Sequence, residues 1–173
     1  ALPISLISFL KNHKSYSQIR NALVNVIIDK YIKEDLSAVG INFDSWFRES
    51  QLYETGLLDE VLLNIKNKNL SYSKDGALWF KNTQFGDDQD RVLIKKNGDM
   101  TYFATDIAYH VHKFKNHDVL IDIWGADHHD YAQRLTTALK ALDYDVDNRL
   151  QIHLVQFANL YKSGQSISMS TRS

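Results

Sequence analysis

Val119-Leu120-Ile121-Asp122-Ile123-Trp124-Gly125-Ala126-Asp127-His128-His129-Asp130-Tyr131 is an apolar run that stops at a glycine and then turns polar. Val119 to Trp124 is apolar at every position but Asp122, the composition of a strand buried in a parallel sheet. Gly125-Ala126-Asp127 reads as a turn and helix cap. Tyr131, Leu135, Ala138, Leu139 and Leu142 then make one helix face. Ile152 to Phe157 supplies the next strand. Upstream, Thr105 or Asp106 is placed to cap a helix with Ile107, Val111 and Phe114 on one side. Helix, strand, helix and strand in that order predict a parallel sheet with crossover helices.

Further upstream the pattern is β-rich. Asp75-Gly76 lies between Ser71-Tyr72-Ser73 and Ala77-Leu78-Trp79-Phe80, a hairpin signal. Asn97-Gly98 predicts a second hairpin, pairing Val92-Leu93-Ile94 with Thr101-Tyr102-Phe103. Gly86-Asp87-Asp88-Gln89-Asp90-Arg91 between them reads as a solvated, charged loop. The first third is helical, with Ile19, Leu23, Ile27 and Tyr31 at helical spacing and Gly40 as the stop. Phe43 to Phe47 is a candidate strand, and Leu57 to Ile65 a further helix. The chain divides into an α+β segment over 1–99 and a half-Rossmann layer over 100–173.

Composition narrows the function classes. Of 173 residues, 44% are apolar and 24% charged, a globular balance. The formal charge is -1, a poor match to gripping nucleic acid with the whole surface. There is no cysteine, which excludes disulfides and thiolate metal sites. No apolar run approaches the ~20 residues that span a bilayer. No charged stretch followed by an apolar one opens the chain, so a cytoplasmic protein with no membrane partner is expected. The chain starts Ala1-Leu2-Pro3 and ends Ser168-Met169-Ser170-Thr171-Arg172-Ser173, and both ends read as cut from a longer protein.

Three groups of residues carry candidate chemistry. Gly125, Asp127, His128 and His129 follow a strand, at the carboxyl edge where open α/β sheets bind ligands. Gly125 lets the backbone approach a ligand closely. Asp127 suits either ribose hydroxyls or a helix cap, and His128 and His129 diverge, so at most one faces a site. Tyr102 and Asp106 are four residues apart, at an expected strand end and first helical turn. An aspartate there can hold a guanidinium through a charge-assisted pair, although spacing alone favours a capping aspartate beside a core tyrosine. Ser168 to Arg172 combines small hydroxyls with an arginine, a weak phosphate signal shared by many loops. His110-Val111-His112 would be a metal pair on a strand, but on a helix the two rings diverge.

In order, the chain carries Gly76-Ala77-Leu78-Trp79-Phe80, then Phe85 to Val92, then Tyr102-Phe103-Ala104-Thr105-Asp106-Ile107-Ala108-Tyr109-His110. Trp124 to His129, Leu154-Val155-Gln156-Phe157 and Met169-Ser170-Thr171-Arg172 follow. Together they resemble a bacterial arginyl-tRNA synthetase, a class I aminoacyl-tRNA synthetase, most strongly from Trp46 to Ser173. The resemblance implies an α/β fold: the second half of a class I Rossmann-type parallel sheet, preceded by an α+β connective insertion. It implies activation of L-arginine with ATP and Mg²⁺, and transfer to tRNA(Arg).

By that resemblance Tyr102, Asp106 and His128 bind arginine. Gly125, Asp127, His128, Gln156, Phe157, Met169 and Ser170 line the ATP site, and Ser170 and Arg172 belong to the catalytic phosphate loop. No resident metal site is implied. The loop departs from the family pattern, since Ser168 and Thr171 occupy its two lysine positions. The family's His-Ile-Gly-His element and its tRNA-binding domains are not among these residues, so the chain alone is expected to be inactive. Two rivals remain. Asp127-His128-His129 also suits a metal-dependent phosphoesterase, which needs further aspartates for two metals. A non-catalytic synthetase-like binding module is the other.

Overall fold

The computed structural model describes residues 16–156 and 158–167. The chain divides at Phe47/Arg48 into two compact units, each described by itself. In the first, helix α1 (Tyr16–Val26) runs into a π-helical turn over Ile27–Ile32 and then α2 (Lys33–Ala38). The wide turn changes the helical register, because π hydrogen bonds take one more residue per turn. The inward side therefore passes from Ile19 and Leu23 to Ile28, Lys33 and Leu36, and Ile27 and Tyr31 point outward. Gly40 does end the helix: at φ 80° its N–H bonds Ser37 O and the next N–H bonds Leu36 O. The strand expected over 43–47 does not form. Phe43 and Trp46 instead pack edge to face at 5.3 Å, with the Lys33 ammonium 5.3 Å from the Trp46 ring centroid.

The second unit opens with α3 (Ser50–Glu54) and α4 (Leu57–Asn67), the latter burying Leu58, Val61 and Ile65. Strands β1 (Ser71–Lys74), β2 (Ala77–Phe80) and β3 (Arg91–Ile94) form an antiparallel sheet. Asp75 and Gly76 both have positive φ, 53° and 78°, the type I′ geometry that matches strand twist. A 3₁₀ turn (Asn82–Phe85) lies between β2 and β3. Past β3 the Asn97-Gly98 turn forms, but the return strand is a single bridge, Ile94 to Met100. Thr101 stops it: its Oγ1 accepts from Ala104 N–H and donates to Val92 O at 2.7 Å. That cap starts α5 (Tyr102–Asn116) at Tyr102, so Tyr102 and Phe103 are helical and neither Thr105 nor Asp106 is the cap.

β4 (Leu120–Gly125) pairs in parallel with β5 (Leu150–Val155), Leu120 opposite Leu150 and Gly125 opposite Val155. The crossover holds a 3₁₀ turn (Ala126–His128), α6 (His129–Ala141) and a short α7 (Val146–Arg149), the expected right order for a parallel pair. β5 begins and ends two residues before the expected run, so Gln156 follows the strand. An unexpected hairpin, β6 (Leu160–Lys162) with β7 (Gln165–Ile167), closes the described chain. Residues 48–99 share one compact unit with residues 100–173. Phe80, Leu93, Ile107, Leu135 and Leu139 lie at its fully buried centre.

The β4 face pattern inverts its hydrophobicity. Leu120 and Asp122 are buried, whereas Ile121 and Ile123 are 59% and 72% exposed. Val155 of β5 is exposed on the same side, since paired residues of a parallel sheet point the same way.

Candidate active site

Tyr102, Asp106, Tyr109 and Lys113 stand at i, i+4, i+7 and i+11 on α5, one helical stripe. The stripe faces the end of β4, and between them lies a cavity of about 630 Å³. Trp124, Gly125, His128 and Tyr131 close the other side. Tyr102 is 82% exposed at its mouth. Asp106 is half-buried, and its Oδ2 accepts a short hydrogen bond from the Tyr131 hydroxyl of α6. Burial first, and the neighbouring Asp106 carboxylate second, push the Tyr131 hydroxyl far above its ordinary pKa, so it remains a proton donor.

Beneath this pair lies a buried polar network. His110 Nδ1 lies 2.8 Å from Asp106 O, and its Nε2 lies 2.6 Å from Asp122 Oδ2. Lys113 Nζ donates to Asp122 Oδ1 at 2.5 Å. Burial alone would raise the Asp122 carboxyl, but hydrogen bonds from His110 and Lys113, with their charges, hold it below the ordinary carboxylate value. The break in the apolar strand is thus an anchor for α5. Burial and the Asp122 charge together raise the Tyr109 hydroxyl. Trp124 sits among the rings: His110 and His128 meet it edge-on at 6.3 and 6.4 Å, and Tyr131 at a tilt at 5.9 Å.

The strand-end residues separate. His128 lines the cavity, while His129 is 75% exposed and sits 3.3 Å from Asp130. Asp127 caps nothing: the 3₁₀ turn and α6 both start without a side-chain cap. Its carboxylate folds back over Gly125, so that a Cβ on Gly125 would stand 2.4 Å from Asp127 Oδ1. Gly125 has φ -64°, which any residue adopts, so a side chain here would have to displace the Asp127 carboxylate and would meet no backbone strain. Gln156 is exposed beyond the end of β5. Phe157, Met169, Ser170 and Arg172 lie outside the described residues, as do Ser168 and Thr171.

Residues 86–91 are solvated only in part: Gly86, Asp88 and Gln89 are exposed, whereas Asp87 and Asp90 turn inward to partners. Asp87, 7% exposed, takes two bonds from Arg91 at 2.8 and 2.9 Å and one from Asn82 at 2.7 Å. The Arg91 guanidinium holds the Asp87 carboxyl far below its usual range. Asp90 accepts from Thr83 N, Thr83 Oγ1 and the Tyr72 hydroxyl. Asn82 Nδ2 also reaches Arg134 O at 3.3 Å, which ties this loop to α6.

The sequence did not single out Tyr131, Trp124, His110, Lys113 or Tyr109 for the cavity. Tyr131 counted as one more apolar position on a helix face. Its signal was its hydroxyl, which needs a partner once buried.

Residues 5–173 match the family model for tRNA synthetases class I (R), catalytic domain. The chain is similar to the arginine–tRNA ligase of Legionella pneumophila (strain Corby), 49% identical over 155 residues, covering 89% of this chain and 26% of that protein. It is likewise similar to the arginine–tRNA ligase of Syntrophotalea carbinolica, 50% identical over 143 residues and again 26% of that protein. The chain thus spans about a quarter of the length of the curated relatives it matches. Its structure is similar to that of a Campylobacter jejuni protein assigned as an arginyl-tRNA synthetase. The TM-score there is 0.80 at 35% identity, over 95% of this chain and 37% of that one. The Plasmodium falciparum arginyl-tRNA synthetase shares the fold with a TM-score of 0.70 at 19% identity, over 87% of this chain and 26% of that one.

Proposed function

The chain belongs to the class I tRNA synthetase (R) catalytic-domain family, and from that we propose that it forms part of an arginine–tRNA ligase. The full-length enzyme activates L-arginine with ATP and passes it to tRNA(Arg) in the cytoplasm. Residues 1–99 serve as its connective region and residues 100–173 as the later half of its Rossmann layer. One observation carries this reading: Tyr102 and Asp106, one turn apart on α5, share a single cavity with Gly125 and His128 at the end of β4. A half-buried carboxylate beside an exposed tyrosine ring suits a guanidinium, which takes hydrogen bonds at its edge and stacks through its plane.

In the reaction the arginine carboxylate attacks the α-phosphate of ATP in line and pyrophosphate leaves. The protein's part is to position both substrates and stabilise charge. Asp106 and Tyr102 hold the arginine side chain. Gly125, Asp127 and His128, with Gln156 and Phe157, form the nucleotide side. Met169, Ser170 and Arg172 stand in the loop assigned to the phosphates, where Arg172 supplies the charge of an absent lysine. Among the described residues no group of three His, Asp or Glu side chains could hold a metal. On this reading Mg²⁺ would arrive on the nucleotide and offset the charge of its phosphates. The two-metal phosphoesterase reading lacks a ligand set for the same reason. The chain by itself does not catalyse adenylation.

Titrating this chain with L-arginine, against L-lysine and citrulline, tests the assignment by NMR. Arginine-selective shifts at Tyr102 and Asp106 are expected. An equal response to uncharged citrulline would refute guanidinium recognition.

A further inference from the structure

We propose that Tyr131 is a positioning residue for this site: its hydroxyl holds the Asp106 carboxylate in the orientation that faces the cavity. The inference rests on the arginine reading above. Asp106 stands on α5 and Tyr131 on α6, 25 residues away, and both line the cavity. An aspartate on a helix face can turn about two side-chain bonds, and a single fixed donor on Oδ2 removes that freedom. The donor is itself fixed. The Tyr131 ring lies tilted against Trp124 at 5.9 Å, and the Arg134 guanidinium stands 5.6 Å from its centroid.

A carboxylate oxygen accepts more than one hydrogen bond. The Tyr131 bond therefore leaves Oδ1 and part of Oδ2 for a cation in the cavity. A tie that served only to join α5 to α6 would not need a polar pair at the cavity wall. The two helices already pack directly against one another, with Ile107 of α5 and Leu135 of α6 fully buried.

The test is steady-state aminoacylation by the full-length enzyme carrying Tyr131→Phe, which keeps the ring and removes the hydroxyl. The arginine KM should rise about three- to tenfold, the loss of one hydrogen bond's worth of orientation. The kcat and the ATP KM should not move. In an Asp106→Asn background the same substitution should add nothing, since the group it positions has already been altered. Equal rises in the arginine and ATP KM would assign Tyr131 to the general shape of the pocket and overturn the proposal. So would an additive effect in the double variant. Asp106→Asn alone keeps the two failures apart. If it leaves the arginine KM unmoved, the arginine reading itself falls. If it raises that KM while Tyr131→Phe does not, only the positioning role falls.

Discussion

Asp122 and Ile123 are neighbours on β4, and hydrophobicity and structure rank them in opposite order. Replacing Asp122 by Ala removes the acceptor for His110 Nε2 at 2.6 Å and Lys113 Nζ at 2.5 Å. The Asp122 and Lys113 side chains are 8% and 17% exposed, so neither partner is left in water. Breaking a buried pair by removing one partner costs about 3–5 kcal/mol. The lower end applies here, because the Lys113 ammonium can swing into the cavity it lines. A loss of about 3 kcal/mol corresponds to a thermal shift on the order of 10 °C. Ile123→Ala removes a side chain that is already 72% exposed, and should cost less than about 0.5 kcal/mol.

Urea unfolding of this chain, followed by circular dichroism, measures both. The Asp122 carboxyl is held below its ordinary value in the folded state. Its contribution is therefore complete above the unfolded value of about 4 and fades as the pH falls through the lower, folded one. The gap between wild type and Asp122→Ala should close in acid. If Ile123→Ala costs as much as Asp122→Ala at neutral pH, β4 faces the other way and the reasoning fails.

Three further outcomes can be checked. Gly125→Ala should displace the Asp127 carboxylate, which a Cβ would approach to 2.4 Å. The exposed carboxylate moves easily, so stability should fall by less than about 1 kcal/mol while the ATP KM of the full-length enzyme rises. An unmoved ATP KM would take Asp127 out of the nucleotide site. Thr101→Ala deletes both the cap bond to Ala104 and the bond to Val92 O, and should cost about 1–2 kcal/mol by urea unfolding, with Thr101→Ser restoring most of it. Asp87→Ala leaves Arg91 with only the exposed Asp88 carboxylate and takes one partner from Asn82, and should cost about 2 kcal/mol at neutral pH. Because the folded Asp87 carboxyl sits far below its unfolded value, the cost should shrink only in strong acid. A constant cost from pH 7 down would show that packing and not the ion pair is lost.

The parallel β4–β5 pair was legible because an apolar run, a glycine and a helical stripe agree across levels. The Asp75-Gly76 hairpin was legible because few dipeptides suit two consecutive positive φ values. Tyr102 went astray because Asn97-Gly98 signals a turn whatever follows it. Only the cap at Thr101, a contact to Val92 nine residues back, decides that a helix and not a strand comes next. Ile27 and Tyr31 were misplaced because a 3.6-residue count cannot foresee a π turn. Tyr102 and Asp106 could be picked out as a pair by spacing, and the strand-end cluster by its place. Asp122, His110, Lys113 and Tyr131 could not be found that way. Their partners are brought together by α5 lying against β4 on one side and α6 on another, and sequence distance holds no record of it. The charged loop was misread because Asp87 pairs with Arg91 inside the loop, and Asn82, Thr83 and Tyr72, uncharged side chains outside it, supply the remaining donors to Asp87 and Asp90.

Trp124 gives the cavity an optical reporter. The chain has three tryptophans, and Trp124 alone among them lines the cavity formed by the described residues. Its indole touches rings on both walls, His110 of α5 and Tyr131 of α6. Trp79 donates its Nε1–H to Lys74 O in the β1–β2 hairpin, and Trp46 meets Phe43 edge to face in the other unit. With Trp46 and Trp79 replaced by phenylalanine, the ultraviolet emission of the chain would come from the floor of the cavity. Its colour would then follow how wet that floor is, moment to moment, without any label attached.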